Sequence, residues 1–513
     1  MNQPVEVVIL GGGTAGWMAA AALVSLLPPT RCRVRLVESD EIGIVGVGEA
    51  TLPQIKSFND LIGLDEAEMM RATSATFKLG IDFVDWGFKG SRYVHPFGAH
   101  GGPNAGHSFH HQWLRSVQAG KDWDVQEFSF AIMAARANRF DFPATGNSTV
   151  NSTFSYAYHF DASLYARFMR RLCEARGLQR IEGKVRDVEQ DAQTGDIRAL
   201  LMETGERIAG HFFIDCSGFR SLLLGSKLGA EWEDWSQWLP CDRALPVPTE
   251  RIGDLTPYTR VSAMNAGWRW RIPLQHRTGN GYVFSSQFID EDKAVEELLQ
   301  SIDEPILAEP RLLRFQAGRR KSSWRRNCVA LGLSSGFLEP LESTSIYLIQ
   351  VAIMHLLPLF PTRTHDPRLV DEFNRRMDVE YERIRDFLIL HYHLNSRDDT
   401  ELWSYCRTMD VPDSLSRKME LFRHSGIIES YKDGLFTPPS WLSVFVGQGL
   451  IPEHYHPFAE GQPIERMLRE MEELRLDIAE RVDEMPKHAS FIARYANAQP
   501  PSEAILHEAE ERL

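Results

Sequence analysis

A glycine-rich turn near the start of the chain has the residue types and spacing to bind phosphate. The run Gly11–Gly16 reads GGGTAG, fits G-x-G-x-x-G and follows the short β-branched run Val7–Leu10. Gly11 permits a tight turn, Gly13 lets backbone N–H groups approach a pyrophosphate, and Gly16 allows close helix packing. Glu38 lies 22 residues after Gly16, where its carboxylate can bind ribose hydroxyls. This pattern predicts a dinucleotide site, and the alternative is a glycine turn without a ligand.

Two charged residues further along the chain could do chemistry or could be ordinary surface groups. Lys78 lies in an alternating segment, on the polar face that it shares with Asp82. By pattern alone it is a solvated lysine paired with Asp82 or Asp85. Glu342 comes just before a helix predicted from Ile346 onward, where the helix dipole favours an acidic residue.

The elements that would position these residues indicate an α/β protein with a discontinuous nucleotide domain. Apolar strands that end in ligand-type turns occur at the N-terminus, before Asp215 and before Gly332. A continuous NAD domain fits this less well than a FAD-binding Rossmann-like fold of the flavin monooxygenase type. We therefore expect that domain, a substrate-facing mixed sheet and a mainly helical C-terminal region. The expected boundaries are residues 1–90 with about 160–225 and 320–360, then about 91–160 with 226–319, and about 361–513.

Composition and charge indicate which partners and which cellular compartment to expect. The 513 residues carry a net charge of −14, which disfavours nucleic acid and anionic membranes as partners. Six scattered cysteines without a C-x-x-C pair favour a reducing compartment. The longest apolar helix, 17–27, is too short to span a membrane, so we expect a cytoplasmic protein.

Histidines and tryptophans cluster at several places without a clear chemical pattern. No carboxylate spacing accompanies the loop histidines, so no metal site is predicted from His107, His110, His111, His454 and His456. Trp268 and Trp270 alternate with arginines, which is typical of one aromatic strand face packed in a core.

Several motifs together resemble the flavin-dependent tryptophan halogenase family. The matching stretches are Gly11–Trp17, Gly46–Thr51, Phe77–Gly80 (FKLG), Trp268–Pro273 (WRWRIP), Glu339–Thr344 (EPLEST) and Met485–Ile492. A lysine in F-K-L-G together with W-x-W-x-I-P is far more specific than the glycine turn alone.

The resemblance implies a reaction and assigns catalytic roles. Reduced FAD (FADH2), O2 and chloride or bromide would give hypohalous acid, which travels through an internal passage to Lys78. Lys78 would present the halogen, as hydrogen-bonded hypohalous acid or as a haloamine, and Glu342 would stabilise charge or take the ring proton.

The resemblance also implies the binding residues. His95 and Phe97 would hold an indole ring, the Ser343 carbonyl would face its N–H, and Thr344 and Ser345 would hold halide. Many relatives have Gly at the position of Ser345, which leaves the halide preference open. The expected cofactor contacts are Gly11, Gly13, Thr14, Ala15, Gly16, Glu38, Glu49, Ala50, Val185, Leu333 and Ile346.

The substrate and partners are narrowed only in part. Free-tryptophan halogenases carry a Tyr/Glu lid segment, and residues 443–457 show no equivalent carboxylate and ammonium clamp. We therefore expect an indole-type aromatic that need not be free tryptophan, with FADH2 supplied by a separate NAD(P)H-dependent flavin reductase. The alternatives are a flavin-dependent aromatic hydroxylase and a non-catalytic flavoprotein. Regiochemistry and oligomeric state stay open, with a homodimer compatible with the sequence.

Overall fold

The fold consists of two large sheets and a set of C-terminal helices. The computed structural model describes residues 3–41, 48–103, 109–146, 149–362, 366–431 and 434–497, so most of the second glycine loop, 42–47, and His107 lie outside the described residues. The strands are β1 Val5–Leu10, β2 Cys32–Glu38, β3 Gly48–Ala50, β4 Thr76–Lys78, β5 Gly80–Val84, β6 Arg92–Pro96, β7 Ala157–Asp161, β8 Gln179–Glu182, β9 Val185–Gln190, β10 Ile197–Met202, β11 Arg207–Ala209, β12 Phe212–Asp215, β13 Trp232–Asp234, β14 Arg243–Thr249, β15 Thr259–Ala263, β16 Gly267–Pro273, β17 Thr278–Phe284, β18 Leu313–Arg314, β19 Gly318–Arg320, β20 Trp324–Arg325, β21 Cys328–Ala330 and β22 Gly336–Phe337. The helices are α1 Thr14–Leu26, α2 Gln54–Leu61, α3 Glu66–Thr73, α4 Phe109–Gln118, α5 Phe130–Arg136, α6 Ala162–Ala175, α7 Glu291–Gln300, α8 Thr344–Leu356, α9 Pro367–His393, α10 Glu401–Thr408, α11 Asp413–Ser425, α12 Pro438–Gly447, α13 Ile464–Glu484 and α14 His488–Asn497.

The first sheet is mainly parallel and is assembled from distant parts of the chain. Its strand order is β20-β21-β12-β1-β2-β8, and only the edge pair β20–β21 is antiparallel. The central strand β1 is apolar and almost wholly buried, as a parallel strand covered on both faces must be. β12 pairs with β1 although more than 200 residues separate them, with Val7 opposite Phe212. The predicted α/β class with a Rossmann-like sheet is confirmed, whereas the domain boundaries stay a prediction.

The second sheet is mixed and has seven strands in the order β18-β14-β17-β16-β15-β5-β6. Only the pair β15–β5 is parallel, as expected for a mixed sheet. A small antiparallel sheet, β3-β7-β4, lies alongside and carries Lys78 at the end of β4. Gly48 of β3 approaches the second sheet closely, since its Cα lies 3.4 Å from the position that a Cβ on Gly279 would take.

Two predicted elements differ in the structure. The alternating segment from Ala75 to Trp86 is not one strand, because β4 and β5 belong to different sheets and Leu79 bonds instead to the Pro257 carbonyl (2.7 Å). The sequence from Ser57 to Met70 is typical of a single helix, but the structure has two helices there, α2 and α3, separated by Gly63 at φ +65°. Glycine reaches this left-handed conformation without a steric penalty and so ends α2.

The C-terminal region is helical, as predicted, and packs on the rest of the chain. The buried face of α13 belongs to the main apolar core, so α13 packs within the molecule. Its buried residues are Met467, Met471, Ile478 and Val482. The six cysteines are free and buried. Within the described residues, the helices are all too short or too polar to cross a membrane.

Candidate active site

The glycine turn has the geometry that the dinucleotide pattern requires. Gly11 has φ +113°, and a Cβ there would lie 2.2 Å from the Cys216 carbonyl oxygen, so only glycine fits. Among the described residues, no atom lies within 4 Å of the position that a Cβ on Gly13 would take, which leaves open space there. Gly13 precedes α1, which has no side-chain cap, so its first N–H groups are available to an anion. The Glu38 side chain lies over Gly12 and its Oε1 accepts from Arg180 Nε at 2.5 Å. These residues fit the diphosphate and ribose of a dinucleotide.

Other expected cofactor contacts lie around the same end of the first sheet. The turn that contains Leu333 reaches α1, because a Cβ on Gly332 would lie 3.0 Å from that of Ala15. Ile346 is buried in the first turn of α8, which packs against α1. Val185 lies at the start of β9 and packs against an apolar cluster that includes Leu10 and Val37, and its contact with the cofactor stays a prediction.

The second glycine loop is described only at its end. Glu49 and Ala50 lie in β3, next to β7. Burial raises the pKa of Glu49 to about 7.

Lys78 is fully buried, so its interpretation as a solvated lysine is wrong. Its Nζ donates to the Thr51 carbonyl (3.1 Å) and to Ser343 Oγ (2.9 Å), and it lies 5.0 Å from the centre of the Phe97 ring. Burial lowers the pKa of Lys78 to about 7, against the opposing attraction of Glu342. An amine with this pKa is available both as an ammonium donor and as a neutral nucleophile near neutral pH.

The acidic residues that could have paired with Lys78 are engaged elsewhere. Asp82 is buried and accepts from Arg92 Nε (2.8 Å) and Arg260 Nε (3.0 Å). Asp85 accepts from the backbone N–H of Gly90 (2.6 Å).

Glu342 lies between two histidines and is fully buried. Its Oε2 is 2.8 Å from His95 Nδ1, and its Oε1 is 2.8 Å from His391 Nε2, without hydrogen-bond alignment at the second contact. Since His391 Nδ1 must donate to the Phe387 carbonyl (2.8 Å), a proton is needed between His391 Nε2 and the carboxylate. Burial would raise the pKa of Glu342, but the charge of His95 and the contacts with His391 outweigh it and bring the pKa to about 2. Glu342 is therefore ionised at neutral pH.

Ser343 and Thr344 stand where a short helical turn passes into α8. Ser343 adopts the left-handed conformation (φ 59°), which is uncommon for a residue with a side chain and is typical of functional turns. The buried Thr344 Oγ1 has no hydrogen-bond partner among the described residues. Ser345 follows in the first turn of α8, whose N-terminal N–H groups can hold an anion.

Three aromatic rings lie near His95. The centres of the Phe97, Phe387 and Phe436 rings lie 6.4, 5.6 and 6.1 Å from that of His95. Phe387 and Phe436 stack at 3.8 Å. Such an apolar, ring-lined surface beside a polar pair suits a flat aromatic ligand.

A second buried carboxyl supports the turn that carries Glu342. Glu339 Oε2 accepts from Trp268 Nε1 (2.9 Å) and from Tyr392 OH (2.8 Å), and burial raises the pKa of Glu339 to about 7. Trp268 is packed in the core, as its strand pattern predicted. The bond between Glu339 and Tyr392 ties the turn to α9 next to His391.

Sequence reasoning missed several of these residues. His391, Phe387 and Phe436 lie far along the chain in a helix and a loop without a recognisable motif. Glu339 lies inside the E-P-L-E-S-T motif, and its position three residues before Glu342 was the available signal.

The site therefore combines a dinucleotide turn with a buried lysine and carboxylate beside aromatic rings, an arrangement suited to a flavin enzyme that acts on an aromatic compound. The profile described as "Tryptophan halogenase" matches residues 6–463. The tryptophan 7-halogenase KtzQ of Kutzneria sp. is 35% identical over 500 residues, covering 90% of this chain and 92% of KtzQ.

Solved structures of flavin-dependent halogenases are also similar to this chain. Xcc4156, a flavin-dependent halogenase from Xanthomonas campestris, is 47% identical, with a TM-score of 0.93 over 98% of this chain and 100% of that chain. BrvH, a flavin-dependent halogenase from Brevundimonas sp. BAL3, is 45% identical, with a TM-score of 0.92 over 96% and 99% of the two chains. This chain belongs to the tryptophan halogenase family, and the predicted enzyme class, a flavin-dependent halogenase, is confirmed. The hydroxylase alternative is not favoured.

Proposed function

We propose that this enzyme halogenates an electron-rich, indole-type aromatic by electrophilic substitution through Lys78. The observation that carries the proposal is the buried Lys78 amine, whose pKa is about 7 and which bonds to the residue next to Glu342. When bound, FAD supplied as FADH2 provides, with O2 and chloride or bromide, the hypohalous acid that the chain's own residues then use.

Lys78 activates the oxidant in one of two ways, which remain open. As an ammonium it donates a hydrogen bond to the oxygen of hypohalous acid and makes the halogen more electrophilic. As a neutral amine it attacks the halogen, releases hydroxide and becomes a haloamine. In the ammonium route the ring carbon bonds to the halogen, hydroxide leaves, and the ring proton converts it to water. In the haloamine route the released hydroxide takes a proton from the amine to form water. The ring carbon then takes the halogen from nitrogen, and the ring proton restores the neutral amine.

Glu342 stabilises the positive charge that develops on the ring and then removes the ring proton. Its pKa of about 2 keeps it ionised, so it acts mainly as a fixed negative charge in a buried site. A carboxylate with so low a pKa is a weak base, so it holds the ring proton only in passing. This assignment rests on the two close histidine contacts of Glu342.

The remaining positions receive binding roles. His95 and Phe97 stack on the substrate ring, and the Ser343 carbonyl accepts from its N–H. The partnerless Thr344 hydroxyl and Ser345, at the start of α8, support a halide site. The open space at Gly13 and the position of Glu38 support binding of FAD, which a separate NAD(P)H-dependent flavin reductase reduces.

One assay tests the proposal. The protein is incubated with FAD, NADH, a flavin reductase and either chloride or bromide, with indole or free tryptophan as substrate, and products are read by mass spectrometry. We expect halogenated indole in preference to halogenated tryptophan, and at least a thousandfold loss of product in Lys78→Met.

The matched control is Lys56→Met, which removes a partly buried lysine from α2. It should keep wild-type activity. A strong preference for free tryptophan would refute the substrate assignment, a hydroxylated product would refute the reaction, and an active Lys78→Met enzyme would refute the role of the lysine.

A further inference from the structure

Three side chains outside the site described above converge on the protein surface. His424 comes from the last turn of α11, and Glu453 and His454 come from the segment after α12. One ligand-type atom from each of the three lies within 4.8 Å of the other two. Two imidazoles and one carboxylate form a ligand set typical of zinc, and three protein ligands leave one position open.

One distance between ligand atoms and one distance between ring centres in this cluster are compatible with a tetrahedral ion. Zinc bonds of about 2.0–2.1 Å at tetrahedral angles place neighbouring ligand atoms about 3.4 Å apart. His424 Nδ1 and Glu453 Oε2 are 3.4 Å apart. The rings of His424 and His454 are perpendicular, with centres 5.3 Å apart, close to the value of about 5 Å expected for two imidazoles that share such an ion.

The backbone holds the two contributing segments together. The Glu453 N–H donates to the Arg423 carbonyl (2.8 Å), immediately before His424, and Gln118 Nε2 donates to the Glu453 carbonyl (3.4 Å). The ligands therefore come from fixed backbone positions, although the His424 and Glu453 side chains are 73% and 58% exposed. Exposure lets an ion enter, and it also limits the affinity because binding must fix the rotamers of exposed side chains.

We propose that His424, Glu453 and His454 bind a divalent transition metal ion of the zinc class. The ion fastens the end of α11 to the segment at 453–456, and this segment contacts α4 through the His456 N–H and His111 Nδ1 (3.2 Å). Its effect is on stability, since none of the three ligands belongs to the site around Lys78. The competing explanation is a plain His424–Glu453 ion pair with His454 packed against it.

Zinc titration of the untagged full chain tests this, by calorimetry at pH 7.5 after treatment with a chelator. We expect one ion per chain with a micromolar dissociation constant and a rise of several degrees in the unfolding temperature with zinc. His424→Gln and His454→Gln should each weaken binding at least tenfold.

The matched control is His456→Gln, which removes a neighbouring histidine outside the cluster and should leave the affinity unchanged. Because the ligands are exposed, the variants should fold, and halogenation by each variant at the wild-type rate confirms it. The proposal is overturned if no zinc binds at a concentration 100-fold above a micromolar dissociation constant. It is also overturned if zinc binds equally well to the wild type, His424→Gln and His454→Gln.

Discussion

Burial acts on Lys78 and Glu342 in opposite ways, and this difference sets their chemistry. Lys78 has only neutral oxygen acceptors at its amine, so the loss of water is not fully replaced and its pKa falls. Glu342 has a histidine at each carboxylate oxygen, and these contacts more than replace its lost water. The result is an amine that can lose its proton near neutral pH beside a carboxylate that stays charged.

This difference makes the stability of the protein depend on pH through Lys78. In the folded chain its pKa is about 7, below the value of 10.5 for an unperturbed lysine. Between these pH values the unfolded chain holds a proton that the folded chain has lost, so this residue makes stability rise with pH. We expect wild-type stability, relative to Lys78→Met, to increase from pH 7 to pH 9.

Urea unfolding of both proteins at several pH values measures this trend. Lys293→Met serves here as the control for loss of a lysine, because the Lys293 side chain is 72% exposed. The quantity compared is the free energy of unfolding of the wild type minus that of Lys78→Met. If this difference stays flat or falls from pH 7 to pH 9, Lys78 is protonated in the folded state.

At the scale of elements, the segment that carries Lys78 shows what sequence patterns can and cannot predict. The period-two alternation from Ala75 to Trp86 correctly predicted extended chain. It could not predict that the chain changes sheets at Leu79, because that change depends on partners distant in sequence, such as Pro257. The alternation also suggested a solvated face for Lys78, whereas both faces of β4 are covered.

The cover over β4 comes from α14, at the far end of the chain. His488 is fully buried, its Nδ1 donates to the Leu255 carbonyl (2.9 Å), and its Nε2 accepts from the Phe77 N–H (3.1 Å). Phe77 itself stacks on Phe140, with ring centres 4.0 Å apart. The backbone next to Lys78 is thus fixed by a residue more than 400 positions away.

We expect His488→Leu to lower both stability and activity. It would leave the Leu255 carbonyl and the Phe77 N–H without partners, at about 1–3 kcal/mol for each buried group, and would let β4 shift. Turnover should fall at least tenfold, measured with thermal unfolding on the same samples.

His488→Gln can still donate and accept, so it should recover much of both properties. Ser490→Ala, an exposed neighbour on α14, should match the wild type. Equal damage in the Leu and Gln variants would show that ring packing, and not hydrogen bonding, makes His488 important.

At the scale of the whole molecule, the motif residues were predictable and their surroundings were not. Gly11, Lys78 and Glu342 stand in local patterns that the sequence displays. His391 and Phe436 approach Glu342 and His95 only because α9 and the segment before α12 fold back over the second sheet. No local pattern encodes such a long-range approach, so these residues were missed.

The proposed cofactor site and Lys78 belong to different sheets, and this separation predicts a specific defect when the lysine is lost. The glycine turn follows β1 of the first sheet, whereas Lys78 ends β4 of the small β3-β7-β4 sheet. If hypohalous acid forms at the flavin and then travels, Lys78→Met should still consume O2 and FADH2 at close to the wild-type rate. The oxidant should then escape and appear in a soluble amine trap such as taurine, as a haloamine detected by absorbance, in place of halogenated indole. If Lys78→Met instead forms neither trapped oxidant nor halogenated product, then Lys78 acts at the flavin. That outcome contradicts a two-site reaction.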